Sequence, residues 1–227
     1  MMPTSVKSPS ASWKTHYDSQ ANRLGDTPEA NDYRDAGSYV ACQQWFRLIG
    51  KVRKQAVLEI GCGSGLFVRP LLENNIVYGI DISPEMAKLA VQKGLRVALG
   101  SAGSLPFDSQ TFDLVLCHGV IGLLEQPQTL FAEARRVLRP GGTFFVACLN
   151  AQSWIRRGVQ LMKRPAAANG MRPRQYRFEE ILALGNQAGL AAKESLGVYY
   201  PLRIPASSCR LPLSRLVVPS FALLFQK

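Results

Sequence analysis

Cysteine is sparse in this chain and unpaired in its spacing. The five cysteines, Cys42, Cys62, Cys117, Cys148 and Cys209, are scattered, and no C-x-x-C pair occurs. An odd, scattered set argues against a disulfide framework or a zinc site and fits a reducing cytoplasm. Histidine is rarer still, at two residues, and the sequence holds no cluster with metal-ligand spacing, so no metal is expected. No apolar run reaches the roughly 20 residues that cross a bilayer. Met1 to Ser12 is polar and lacks the apolar stretch of a secretory signal. Acids are few, 16 against 27 lysines and arginines, which leaves a net charge of +11. That excess points to nucleic acid, an anionic membrane surface or an acidic substrate, or only to a solvated basic surface. There is no internal repeat.

What is present fits one globular domain. The 227 residues are 47% hydrophobic, enough for a sizeable core. Val57-Leu58-Glu59-Ile60 is a short apolar run closed around an acid, and Gly61, Gly63 and Gly65 follow at alternate positions. The run reads as a buried strand, Ala56–Ile60, the glycines as a tight turn, and the stretch to about Asn74 as a helix. Ile76–Ile80 is a second strand ending in Asp81. Ser83-Pro84-Glu85 opens a helix, with serine as cap, proline in the first turn and an acid at the positive end, and Gly94 ends it. Leu95–Leu99 and Phe112–Cys117 are the third and fourth strands. Gln128–Leu138 is helical, Pro140-Gly141-Gly142 breaks it, and Thr143–Leu149 is the fifth strand. Phe178–Ala188 is a helix, and Leu190–Val198 and Leu216–Phe225 are the last strands. Strands alternating with helices predict a parallel sheet covered on both faces. Upstream, residues 1–12 read as a serine- and proline-rich tail. Trp13 to Leu24 carries Trp13, His16 and Tyr17, and Asn31–Leu48 has a helical apolar stripe preceded by Tyr33.

The acid at 81 lies about twenty residues beyond the first glycine, where nucleotide-binding folds hold ribose hydroxyls. The dinucleotide pattern G-x-G-x-x-G would need glycine at Leu66, which disfavours a nicotinamide enzyme. Glu59-x-Gly61-x-Gly63-x-Gly65 instead resembles motif I of the class I S-adenosylmethionine-dependent methyltransferases. Val77 to Ser83, Leu105-Pro106-Phe107 with Phe112-Asp113-Leu114-Val115, and Arg136 to Gly142 resemble that family's later segments in order. The likeness covers positions 55 to 150 and is closest to the ubiquinone and menaquinone biosynthesis and natural-product methyltransferases. It implies a Rossmann-like, doubly wound α/β fold: a mostly parallel seven-stranded sheet, an antiparallel last strand and helices on both faces. It also implies S-adenosyl-L-methionine as cofactor.

Ligands of open parallel sheets bind beyond the strands' carboxyl ends. Under the resemblance, Glu59, Gly61, Gly63 and Gly65 frame the methionine end, Asp81 takes the ribose and Ile82 packs on adenine. Ser101 and Ala102 stand where the family has an acid and a small residue for adenine; a serine there accepts a hydrogen bond without charge. Cys117 and His118 fall at the cofactor's reactive end, with His118 a candidate general base or only a packed histidine. Relatives often carry a second histidine at the position of Leu123. Tyr17 would cover the cofactor, while Tyr33, Trp154, Arg172 and Arg174 are candidates for the acceptor. The Asn-Pro-Pro-Tyr pattern of adenine and glutamine N-methyltransferases is absent after the fourth strand.

The expected organisation is a single domain. Residues 1–50 form a tail and cleft-covering helices, 55–150 the cofactor core, 151–177 a basic lid-like insertion, and 178–227 the last helix and edge strands. The acceptor is expected to be a small molecule, anionic or lipid-like. An RNA methyltransferase using the basic surface, or a non-catalytic cofactor-binding protein, is the alternative.

Overall fold

Residues 9–24, 44–154, 172–198 and 218–227 are described by the computed structural model of the chain. Seven strands form one sheet: β1 (Ala56–Ile60), β2 (Ile76–Asp81), β3 (Arg96–Leu99), β4 (Phe112–His118), β5 (Leu138–Leu149), β6 (Ala191–Val198) and β7 (Ser220–Gln226). Their order is β3-β2-β1-β4-β5-β7-β6. The first five run parallel to one another, and β7 lies antiparallel between β5 and β6. This is the mixed, doubly wound sheet the sequence predicts.

Both faces are covered because the central strands are apolar on both sides. Leu58, Ile60, Val115, Cys117, Phe144 and Val146 face one layer with Leu130, Phe131, Ala134 and Val137 of α4 (Pro127–Val137) and Ile181 of α5 (Phe178–Gln187). Val57, Leu114, Leu116, Phe145 and Ala147 face the other. That layer also holds Trp45 and Leu48 of α2 (44–49) and Ala90 of α3 (Pro84–Gln92). The alternation along each strand is the period of two that extended backbone imposes.

Three local expectations are corrected. The stretch after the glycine turn is no helix to Asn74; it makes turns and one 3-10 turn, Arg69–Leu71. Pro70 lies where a helix starting at the turn would need an interior N–H, and its ring would strike the preceding turn. Phe67, Val68 and Leu71 are buried all the same. Pro140-Gly141-Gly142 does not separate helix from strand either, because β5 already begins at Leu138. The extra residues bulge between the pairs Phe112–Leu138 and Leu114–Thr143. The chain's last residue secures them: Gly141 N–H donates to the Lys227 carbonyl, and Lys227 N–H to that of Gly142, each at 3.0 Å. Finally, α1 (Pro9–Leu24) begins inside the expected tail, with proline at its first position, where the missing N–H costs nothing. Tyr33, most of the expected 31–48 helix and residues 155–171 of the basic stretch lie outside the described residues.

Candidate active site

At the carboxyl ends of β1, β2 and β4 lies a cavity of about 230 Å³. Its floor begins with the turn after β1. Gly61 N–H and Cys62 N–H donate to the Ile80 carbonyl at 2.7 and 3.1 Å, and Gly63 N–H donates to Asp81 Oδ2 at 2.8 Å. Gly61 and Gly63 have φ of +70° and +51°, a region that favours glycine. A Cβ on Gly61 would lie 2.2 Å from Val120 Cγ2, whereas one on Gly63 would meet nothing within 4 Å. Gly65 does not line the cavity. It lets the turn pack on α3, where its Cβ would be 3.3 Å from Ala90 Cα.

Asp81 closes β2 with its carboxylate on the cavity wall. Oδ1 accepts Ser83 N–H at 2.9 Å, while Oδ2 takes the glycine turn. A carboxylate has about four lone-pair sites, so acceptor capacity is left over for a ligand. Burial is the largest influence on its pKa and raises it; the backbone N–H groups oppose that rise. Ser83, not Asp81, caps α3, accepting Met86 N–H at 3.2 Å. The same hydroxyl donates to Asp18 Oδ1 of α1 at 2.5 Å. Tyr17 and Ala21 of α1 pack on Met86 and Leu89 of α3, and Trp13 and Tyr17, stacked at 6.2 Å, become part of the cavity wall. Burial, and then the Asp81 charge, lift the Tyr17 phenol above its ordinary value.

Glu59 sits one residue before the end of β1, 2% exposed. Burial, and secondarily Asp81, push its carboxyl well above the usual range, and Oε2 has no hydrogen-bond partner. A buried carboxyl oxygen left unpaired is costly and suits a cationic ligand group. At the other end, Ile82, Gly100, Ser101 and Ala102 line the cavity; Ser101 Oγ accepts Gly103 N–H at 3.4 Å. His118 ends β4 on the wall, and burial lowers its pKa to about 4. Cys117 points instead into the core, its thiol pushed up to about 12 by burial.

Of the residues expected from sequence, Tyr17, Gly61, Gly63, Asp81, Ile82, Ser101, Ala102 and His118 meet at this cavity. Glu59, Gly65 and Cys117 are not part of its lining. Trp154 is 62% exposed and away from it, and Arg172 is exposed and does not line it. Arg174 also lies outside the lining: its guanidinium pairs with Glu180 at 3.0 Å and covers the Tyr176 ring at 4.7 Å. The main chain there supports the site from behind. Arg174 N–H donates to the Gly122 carbonyl at 2.7 Å, and the Tyr176 hydroxyl donates to that of Ile121 at 3.2 Å. The lining also includes Trp13 of the expected cleft cover, Leu123, and residues that sequence reasoning does not single out for it: Ile80, Gly100 and, in the turn beyond β4, Gly119, Val120 and Leu124. The strand-end rule reaches the last residue of β4 but not how far the following turn folds back. Among the described residues no cluster could hold a metal ion, and no helix is long and apolar enough to cross a membrane.

Residues 58–146 match the family model described as "Methyltransferase domain". An uncharacterized protein of Methanocaldococcus jannaschii is 39% identical over 98 residues, 43% of this chain and 46% of that one. The ubiquinone biosynthesis O-methyltransferase of Parvibaculum lavamentivorans is 29% identical over 165 residues, 63% of this chain and 61% of that one. The matches thus span less than two thirds of those relatives' lengths. Among solved structures, a putative methyltransferase in complex with the Haloferax volcanii Trm112 methyltransferase activator superposes with TM-score 0.70 at 21% identity, covering 94% of this chain and 96% of that one. That last likeness is one of fold.

Proposed function

We propose that the chain is a class I S-adenosylmethionine-dependent methyltransferase, on the match of residues 58–146 to the methyltransferase family model and on the fold, and that it methylates a small, lipid-like metabolite. The carrying observation is the Asp81 carboxylate on the wall of a cavity floored by the Gly61–Gly63 turn, with unpaired Glu59 one residue before the end of β1. These residues fit S-adenosylmethionine. Asp81 would hold its ribose, the glycine turn its methionine part, Glu59 would answer its positive charge, and Ile82, Ser101 and Ala102 would hold its adenine. When bound, the cofactor supplies an electrophilic methyl group, and the protein's part is to orient the acceptor and exclude water. Past His118 the wall is apolar, with Val120, Leu123 and Leu124. That lining and the ubiquinone-biosynthesis relative both favour an apolar acceptor. A cytoplasmic location belongs to the same reading.

Calorimetry should give micromolar affinity for S-adenosylmethionine, roughly −8 kcal/mol. Asp81→Ala should weaken it at least about tenfold, because hydrogen bonds to a charged acceptor contribute about 1.5–3 kcal/mol. Methyl-labelled cofactor, incubated with small-molecule, lipid and RNA extracts, should label a small-molecule or lipid fraction. The net charge of +11 favours RNA as the second reading. Label found only in RNA, and destroyed by ribonuclease, would decide for it.

A further inference from the structure

His118 is a polar ring in an apolar setting. Its imidazole stacks on Phe67, ring centroids 4.5 Å apart and planes 25° apart. Phe67 is itself stacked on Phe46 of α2 at 5.1 Å and on Phe145 of β5 at 6.1 Å, each again at 25°. Four segments distant in sequence therefore build one group of near-parallel rings around Phe67 that ends at the cavity. Phe67 is 5% exposed. Among the described residues nothing hydrogen-bonds the imidazole, while His118 belongs to the cavity lining. A ring nitrogen with no partner among the described residues, beside a cavity, is open to a hydrogen bond from a ligand.

Its place in the sheet says which ligand. Reading across the strand ends from β3 to β4 gives Ser101, then Asp81, then the glycine turn, then His118. Ile60 of β1 pairs with Cys117 of β4, so His118 neighbours the turn that receives the methionine part, at the end away from Ser101. We propose that Phe67, backed by Phe46, is a positioning residue whose stacked ring fixes the His118 imidazole at the cavity wall, where it accepts a hydrogen bond from the N–H or O–H of the methyl acceptor. This rests on the methyltransferase reading above.

The electrostatics are consistent. Glu59 of β1, Cys62 of the turn, Asp81 of β2, Cys117 of β4 and Tyr17 of α1 are titratable groups around His118 that burial holds toward their protonated forms. Burial is the sole cause of the lowered His118 pKa. A neutral imidazole does not repel the cofactor's sulfonium and presents a lone pair to an acceptor. Nor does it need to keep the proton: with a pKa of about 4 it orients the acceptor more than it deprotonates it at neutral pH.

The test uses the chain's having only two histidines. With His16→Gln in place, the remaining imidazole signal in heteronuclear NMR belongs to His118. It should stay neutral from pH 8 to pH 5. In Phe67→Leu the midpoint should rise by roughly one pH unit, as water reaches a ring no longer clamped. Calorimetric affinity for S-adenosylmethionine should stay within about twofold of wild type, less than 1 kcal/mol. Transfer of methyl label to the fraction that wild type labels should fall about tenfold in kcat/KM, as in His118→Asn. The double variant should be no worse than His118→Asn alone, because the two residues act as a unit. An unchanged His118 titration in Phe67→Leu, or losses that multiply in the double variant, would overturn the proposal. Where Phe67→Leu does not fold, Phe46→Leu carries the same readouts with a smaller shift. Failure of the methyltransferase reading would register separately, as absent cofactor binding by wild type, and leaves the titration readout standing.

Discussion

Glu59 sets a conflict between stability and binding. Its folded carboxyl keeps a proton that the unfolded chain releases near the ordinary glutamate pKa of 4.5. The folded state therefore binds more protons, and stability falls as pH rises from that value toward the raised one. His118 has the opposite sign. Its lowered pKa means the unfolded chain binds more protons between about 6.5 and 4, so its contribution is lost as pH falls through that window. Comparing Glu59→Gln with wild type isolates the first effect. In urea unfolding of the cofactor-free protein, the glutamine variant should be favoured more at pH 8 than at pH 5, and its cofactor affinity should drop. An equal difference at both pH values would mean that Glu59 is ionised and partnered. The pattern of Glu59, Gly61, Gly63 and Asp81 is legible in the sequence alone, because acid and glycine at that spacing answer a local chemical need. That Cys117 faces the core while His118 faces the cavity is not, since adjacent residues of a strand differ only in which face they are given.

Two elements show where local propensity loses to packing. Gly185 lies inside α5, where glycine is about 1 kcal/mol worse than alanine. From sequence, Gly185→Ala should stabilise. In the fold, a Cβ there would sit 2.1 Å from Phe225 Cε1 of β7, and overpacking costs about 1–3 kcal/mol. Thermal unfolding should therefore show a loss, and a gain would mean that α5 can lift from the sheet. The second element is α1. Its contact with the core runs through Ala21 and Tyr17 and through the Ser83–Asp18 hydrogen bond. Asp18 also pairs with Lys14 at 2.6 Å on the helix's outer side. Asp18→Ala should loosen the roof and weaken S-adenosylmethionine about fivefold, the equivalent of about 1 kcal/mol, with little change in global stability. Ser83→Ala removes the α3 cap as well and should lose about 1–2 kcal/mol of folding stability. Equal effects of both variants on unfolding would place Asp18 in the core's stability and not in the roof.

At the scale of the molecule, the question is what the charge of +11 does. Several cations are already paired: Arg136 with Glu133 at 2.7 Å, Arg139 with Asp113 at 2.8 Å, and Arg174 with Glu180. Such exposed pairs contribute little to stability, about 0–1 kcal/mol each. If the excess is solvated surface, the chain should bind single-stranded RNA weakly at low salt and lose that binding as salt rises. Methyl transfer to a small acceptor should be untouched by added RNA. RNA competing with the acceptor at physiological salt would instead put the basic surface at the active site.

The sequence by itself determined the alternation of strands and helices, the glycine turn and the acid at the end of β2. Each follows from near neighbours: apolar period, backbone freedom, cap chemistry. The alternation with helices likewise pointed to a mostly parallel sheet, although among the five parallel strands only the β2–β3 and β4–β5 connections are α-helical, through α3 and α4. Only the tertiary structure decided which side chains meet. The Phe46–Phe67–His118 column joins α2, the turn after β1 and β4. The Lys227 bonds that secure the β5 bulge span 85 residues or more. The roof over Asp81 comes from the far N-terminal side through Trp13 and Tyr17. Such contacts depend on where the sheet brings distant segments, and no local pattern encodes that distance. Pro70 is plain in the sequence, yet the loss of the expected helix is evident only where Phe67 and Leu71 find burial without one.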